Sequence, residues 1–394
     1  MIKQVFAAEQ TKSVLLKYHQ KKGYEIFKSF PLMLGDSTVM FTNSTITPFK
    51  KWFISPSVKP RNYALIQSCL RVGGASELVL VGFNPYYHTF FEMFGSGTFA
   101  ISHIEAVQYL LELIDIFSLG RDRVYFTIPK EEPEFSKALK DNGIEQSHVF
   151  ALSDNELFWQ EWKFGKLGPV GRGLTVVYAR TNIAQSVREM AEKPDEFVEL
   201  LNLIHIYGQE TNNGAIISAT HPGFDLGVGI ERLTAVLQGC NNYQIDTIRP
   251  LVEIVHDFLM SQGIKPDESE TRACTDHLRA ICMLISEGLS PSNKGQGYVL
   301  RKLIRRFLEF VWMAIGKIIS VEVMAGSFAD KFNQSSILGN IPSPMVADVI
   351  MKESDTFKQA IIRGRSIVRQ RPKISPEVLR DTYGISEGLI HLVE

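Results

Sequence analysis

Apolar and polar residues recur along this chain with two periods, and the shift from one to the other divides it. From Ala7 to Lys22 the apolar residues Val14, Leu15 and Tyr18 fall at helical spacing and Gly23 stands where a helix ends, which predicts a first helix. Tyr24–Phe27 and Ser37–Thr42 read as short strands joined by turns around Pro31. Ala64–Leu70 and His88–Phe94 read as two antiparallel strands, with Gly73, Gly74, Gly82 and Pro85 in the long loop between them. Ser102 and Glu105 form a capping box ahead of Val107, Leu110, Leu111 and Ile114, so a helix starts there. Val124–Ile128 reads as strand, Glu134–Lys140 as helix and Leu174–Ala179 as strand. Phe197–Ile204 reads as strand from its residue types and as helix from its periodicity.

The stretch from His221 to Leu233 organises what surrounds it. Gly227 and Gly229 alternate on a strand and leave one face without side chains, and the run after Arg232 has helical spacing and ends at Gly239. A strand stripped of Cβ atoms lets a planar group lie against it, while Arg232 at the strand-to-helix junction reaches an anionic group on the same ligand. A nucleotide fits that description, although close packing alone also uses glycine-rich strands.

After a linker at Gly239–Pro250, helical patterns dominate. Val299, Leu300, Leu303, Ile304, Phe307, Leu308 and Val311 follow helical spacing and leave Arg301, Lys302, Arg305 and Arg306 on the opposite face. The expected architecture is α+β: residues 1–240 form a domain of antiparallel strands flanked by helices, and residues 250–394 form a mostly helical domain.

Composition changes this picture little. The 394 residues are 45% hydrophobic with a net charge of −1, which argues against blanket polyanion binding. The charge is uneven, because Tyr298–Lys373 holds 13 Lys and Arg against 6 Asp and Glu. A polyanion footprint and a solvated helical face both explain that excess. No apolar run of membrane-spanning length occurs and the N-terminus lacks a signal-peptide core, so a cytoplasmic protein without membrane contact is expected. Cys69, Cys240, Cys274 and Cys282 have no spacing suited to zinc, and buried free thiols are expected.

Six segments carry a resemblance to a known family. Gln67–Gly74, the return His88–Gly95 and the glycine platform are similar to the second and third motifs of class II aminoacyl-tRNA synthetases. Asp276-His277-Leu278-Arg279, Pro291-Ser292-Asn293 and Gly297–Arg301 resemble the alanyl-tRNA synthetase family within that class. The similarity runs from about Tyr24 to about Phe307, returns weakly at Asp381–Gly384, and stops where the family's editing domain would begin. A paralogue truncated before the editing and C-terminal domains is therefore expected, with a class II synthetase-like sheet.

The resemblance implies condensation of a small amino acid with ATP to an aminoacyl-adenylate, with Mg2+, and transfer to the acceptor stem of tRNA. Arg71 matches the arginine that holds the α-phosphate and the substrate carboxylate, and Arg232 the arginine near the γ-phosphate. His88, Phe91, Met93 and Glu231 fall among the implied ATP contacts, with Phe91 placed to stack on adenine. Asp225 matches the acid that takes the substrate ammonium, Trp159 and Asn202 the side-chain pocket, and Glu199 a Mg2+ ligand. On the tRNA side the implied residues are Asn293, Arg301, Lys302, Arg305, Arg306 and Asp381. No zinc and no DNA partner are implied.

The chain departs from the family at several of these places. Ala75 stands where the family has a lysine, Asn84–Tyr87 replace a segment with an arginine, Val170 and Val176 occupy polar places, and Gln296 replaces an arginine. Weakened activation and altered tRNA binding are the expected consequences, and glycine, serine or a non-standard small amino acid stay open beside alanine. Two further readings are kept. One is a ligase of secondary metabolism or self-resistance that hands the adenylate to a small molecule or carrier, and the other is a non-catalytic tRNA-binding regulator.

Overall fold

The computed structural model describes residues 6–35, 38–72, 80–153, 161–181, 183–335, 341–370, 374–375, 377–379 and 387–390. They form two compact units, one made of Met1–Leu70 with Phe91–Ile245 and the other of Arg71–Phe90 with Asp246–Glu394. None of the described helices is long and apolar enough to cross a membrane.

The first unit is built on a mixed nine-stranded sheet. Its strands are β1 (Glu25–Phe27), β2 (Tyr63–Leu70), β3 (Phe90–Phe99), β4 (Val124–Pro129), β5 (Val149–Leu152), β6 (Glu161–Lys163), β7 (Pro169–Ala179), β8 (Phe197–Glu210) and β9 (Ile216–Gly229). They run in the order β1-β2-β3-β9-β8-β7-β4-β5, with β6 pairing on β7. Pairing is antiparallel from β3 through β9, β8 and β7 to β4, and parallel at the two edges, β1 with β2 and β4 with β5. Flanking helices are α1 (Ala8–Lys21), α2 (Lys50–Ile54), α3 (His103–Ile116), α4 (Glu134–Asp141), α5 (Val187–Glu192) and α6 (Ile230–Gln238). The expected capping box is present at α3, where Ser102 accepts from the Glu105 amide and the Glu105 carboxylate accepts from the Ser102 amide. Gly239 closes α6 in the left-handed conformation, as its position predicts.

β8 resolves the ambiguity over Phe197–Ile204. With β7 on one side and β9 on the other, its main-chain groups are taken up in two ladders, and pairing overrides a periodicity that also fits a helix. The expected strand at Ser37–Thr42 is absent over its described part, 38–42. Thr42 is instead docked by single main-chain bonds, its amide to Leu32 O (2.8 Å) and its carbonyl from the Leu70 amide (2.9 Å). The strand expected from His88 begins at Phe90.

One core of this unit lies on one face of the sheet, where Ile46, Phe49, Phe53, Tyr63, Leu65, Ile204 and Ile206 pack together. Tyr63 and Phe49 stack with ring centroids 3.7 Å apart. None of the four cysteines is in a disulfide; Cys69, Cys274 and Cys282 are buried as expected, while Cys240, after the C-cap of α6, is only half-buried.

The second unit is helical: α7 (Arg249–Ser261), α8 (Glu268–Ser286), α9 (Gly295–Ile315), α10 (Glu322–Ser335) and α11 (Ser343–Gln370). Nearly all of α8 from Thr271 to Ile285 is buried. The described part of 71–90 lies against it, and Gly82 (φ +86°) comes so close that a Cβ would stand 2.3 Å from the Ser269 carbonyl oxygen. That position requires glycine twice over.

Candidate active site

In the first unit β9 and the start of α6 bring Asp225, Gly227, Gly229 and Arg232 onto one short stretch of chain. Asp225 is 4% exposed and faces the Tyr63 core, where Tyr63 Oη donates to its Oδ1 over a long 3.5 Å. Burial pushes the Asp225 carboxyl up to about 7, and the bond from Tyr63 only partly offsets this. Burial, with the neighbouring carboxylate, holds the Tyr63 hydroxyl well above its usual range, so Tyr63 stays a neutral donor. The result is a buried carboxyl group that a cation would complete.

The glycines of the region fall into two kinds. On β3 a Cβ at Gly95 would stand 2.1 Å from Thr45 Oγ1, and one at Gly97 would stand 2.1 Å from the Tyr63 ring. Those glycines are demanded by packing. On β9 a Cβ at Gly227 would meet only the Met93 sulfur at 3.4 Å, and one at Gly229 only the carbons of Arg232 at 3.6 Å or more. Both are half-exposed, so packing does not explain them and the space over them is open to a planar ligand. Met93 and Phe91, two residues apart on β3 and both half-buried, share the platform's face by strand alternation.

A polar chain runs beside the platform. Thr175 on β7 donates to Asn202 Oδ1 (2.6 Å), Asn202 Nδ2 donates to Glu199 Oε1 (3.1 Å), and Glu199 Oε2 pairs with Arg232 Nη1 (3.2 Å). The same Nη1 donates to the Glu199 carbonyl (3.1 Å). Arg232 is thereby aimed before any ligand arrives. Glu199 is half-exposed and offers a carboxylate to a hard cation, although both its oxygens already have partners here.

Glu231 is placed differently from Arg232. It is buried, and both its oxygens accept from the Glu92 amide at 3.1 Å. The Glu92 side chain in turn pairs with buried Lys12 at 2.6 Å. Glu231 thus ties the start of α6 to β3.

The second unit holds Arg71, which is exposed, and His88. His88 Nδ1 lies 3.1 Å from Asp276 Oδ1, and both Asp276 oxygens accept from the Thr89 amide at 3.0 Å. Burial opposes ionisation of Asp276, yet His277 and His88 outweigh it and hold the carboxyl well below the usual carboxylate range. Arg279 donates to the Phe90 carbonyl (3.1 Å) with its guanidinium over the Phe90 and Phe332 rings. The Asp-His-Leu-Arg motif therefore clamps residues 88–90.

The four cations of α9 do not form one solvated face. Glu353, 4% exposed on α11, accepts from Arg301 Nε (3.2 Å) and Arg305 Nε (2.7 Å). Arg305 also lies over Phe357, and Arg306 lies half-buried over Phe310, where burial lowers its pKa. Lys302 is exposed. The solvated-face expectation fails at Arg301 and Arg305 because Glu353 and Phe357 of α11 take them up, and at Arg306 because it packs half-buried over Phe310. Asn293, exposed in the loop before α9, accepts from Arg301. Trp159, Ala75 and Asp381 lie outside the described residues. Tyr63 and Thr175 were not anticipated, since nothing in sequence ties a tyrosine to an aspartate 162 positions away.

Residues 10–393 match the family described as tRNA synthetases class II (A). An alanine–tRNA ligase of Ruegeria pomeroyi is 29% identical over 393 residues, which covers 95% of this chain and 44% of the relative. One of Xanthomonas campestris pv. campestris is 30% identical over 409 residues, 98% of this chain and 46% of the relative. The chain thus spans less than half the length of these curated relatives. Among solved structures, apo histidyl-tRNA synthetase of S. aureus aligns over 65% of this chain and 76% of its own, at 13% identity and a TM-score of 0.36.

Proposed function

The chain belongs to the class II (A) tRNA synthetase family, and from that premise we propose that it activates alanine or a similar small amino acid with ATP and passes it to tRNA. In the first step a substrate carboxylate oxygen attacks the α-phosphorus of ATP. The bond to the bridging oxygen breaks, and pyrophosphate leaves with its electron pair. In the second step a terminal ribose hydroxyl of tRNA attacks the carbonyl carbon of the adenylate and gives its proton to a phosphate oxygen or to water, and the bond from that carbon to the phosphate oxygen breaks, so that AMP departs with the electron pair.

The observation that carries this reading is buried Asp225, two residues before a glycine platform that packing does not require. A carboxyl whose pKa burial has raised gains from a substrate ammonium, because the opposite charge offsets part of the cost of burying its own. Gly227 and Gly229 would admit the adenine, with Phe91 and Met93 beside it. Arg232, held by Glu199, would meet the γ-phosphate, and Arg71 the α-phosphate, where a guanidinium fork binds two oxygens at once. Asn202 would line the side-chain pocket. A Mg2+ ion would neutralise phosphate charge, with Glu199 as its protein ligand.

On the tRNA side the proposal falls chiefly on Asn293 and Lys302. Arg301 and Arg305 already share Glu353, so they have less charge to give to phosphate. The test is amino-acid-dependent ATP–pyrophosphate exchange with alanine, glycine, serine and non-standard small amino acids, followed by transfer of the activated label to tRNA. Exchange with one of them names the substrate. Exchange without tRNA charging would direct the search to a small-molecule or carrier acceptor. Binding of ATP without any exchange would overturn the enzymatic reading.

A further inference from the structure

Three residues from separate parts of the first unit converge away from the platform. His103 is the first residue of α3, Glu132 lies in the turn before α4, and His205 is on β8. His103 Nε2 stands 2.6 Å and His205 Nδ1 2.5 Å from the same oxygen, Glu132 Oε1. One ligand atom from each lies within 4.8 Å of the others. Phe224 and Phe135 wall the group, with Phe224 5.0 Å from both imidazole centroids and Phe135 4.9 Å from that of His103.

We propose that His103, Glu132 and His205 form a binding site for a divalent transition ion of the zinc type. Two imidazoles and a carboxylate are the donor set that borderline ions favour over magnesium or calcium. The side chains are one-tenth to one-fifth exposed, so an ion can enter and water can take the fourth position.

The placement indicates a structural role. His205 and Phe224 are register partners on β8 and β9, and the next pair along is Ile204 with Asp225, whose side chains point to the opposite face. An ion here would tie α3, the turn before α4 and β8 together behind the strands that carry Asp225. Spacing in the sequence could not reveal the site, because its ligands lie 29 and 73 positions apart.

The experiment is titration of chelator-stripped full chain with Zn2+ alone, and separately with Co2+ to read the ligand type. One ion per chain is expected, with a Co2+ spectrum of nitrogen and oxygen ligands and no thiolate charge-transfer bands. Glu132→Gln and His205→Asn should each weaken binding by more than about tenfold, the least that even an outer-shell loss costs. Binding should persist in Cys240→Ser. If the variants fail to fold, Zn2+-dependent shifts of the His103 and His205 nitrogen resonances in the wild-type chain decide the matter. Absence of a stoichiometric ion, thiolate bands, or equal affinity in the folded variants would overturn the proposal and leave a hydrogen-bonded clamp.

Discussion

Tyr63 Oη and Asp225 Oδ1 are joined by a 3.5 Å hydrogen bond in a core where Tyr63 is fully and Asp225 almost fully buried. So long a bond offsets little of the cost of burying a charge, and the Asp225 carboxyl is raised to about 7. Because its folded value lies above the ordinary aspartate value of about 4, its contribution to stability is complete below that value, declines as pH rises, and is gone above about 7. Binding of a substrate ammonium has the opposite sign: it needs the ionised form and should strengthen as pH rises to about 7, then level off. Pyrophosphate exchange and thermal unfolding across this range check both. Asp225→Asn should remove both dependences and lower exchange about a hundredfold or more while folding is kept.

The two kinds of glycine should separate in mutagenesis. Gly97→Ala drives a methyl into the Tyr63 ring and Gly95→Ala drives one into Thr45, so each should cost about 1–3 kcal/mol in denaturant unfolding. Gly227→Ala and Gly229→Ala meet no such neighbour and should stay within about 1 kcal/mol of the parent. They should nevertheless weaken ATP binding, measured by calorimetry. Unchanged ATP affinity in both would remove the platform from the site.

Much of this is legible in the sequence. Short-range chemistry fixed the local elements: the Ser102–Glu105 capping box begins α3, Gly239 ends α6, and the apolar spacing from Val299 to Val311 gives the buried face of α9. What could not be read was pairing over long separations. Tyr63 with Asp225, Arg301 and Arg305 with Glu353, and the His103–Glu132–His205 group each join residues that no local pattern links. Gly95, Gly97, Gly227 and Gly229 look alike in sequence, and only the distances to Thr45, Tyr63 and Met93 tell packing from platform. Ser37–Thr42 misled because strand-forming residue types say nothing about whether a partner strand is in reach.

The clamp made by Asp276 should be visible in acid. Its folded carboxyl is held below the unfolded value, so its contribution is present above about pH 4 and lost as pH falls through the lower folded value. Asp276→Asn keeps the shape but loses the charge and cannot accept at both positions from the Thr89 amide. It should cost about 3 kcal/mol near neutral pH and lose less of its remaining stability on acidification. Denaturant unfolding at neutral pH and at about pH 3 compares the two slopes.

Glu353 offers a test of how the basic helix works. With Arg301 and Arg305 sharing its buried carboxylate, the full charge of α9 is not available to a phosphate backbone. Lys302 is exposed, and Lys302→Ala should leave stability unchanged while reducing the salt dependence of tRNA binding by about one contact. Glu353→Gln frees charge that is now neutralised and should steepen that dependence, at a cost in stability because two half-buried guanidiniums lose their partner. Alanine at all of Arg301, Arg305 and Arg306 would mix these effects, since the same change strips the packing over Phe357 and Phe310. Filter binding of tRNA at several salt concentrations, set beside unfolding curves, separates them. If Lys302→Ala and Glu353→Gln both leave the salt slope unchanged, α9 serves only to hold α11, and tRNA contact must be sought at Asn293 and beyond this helix.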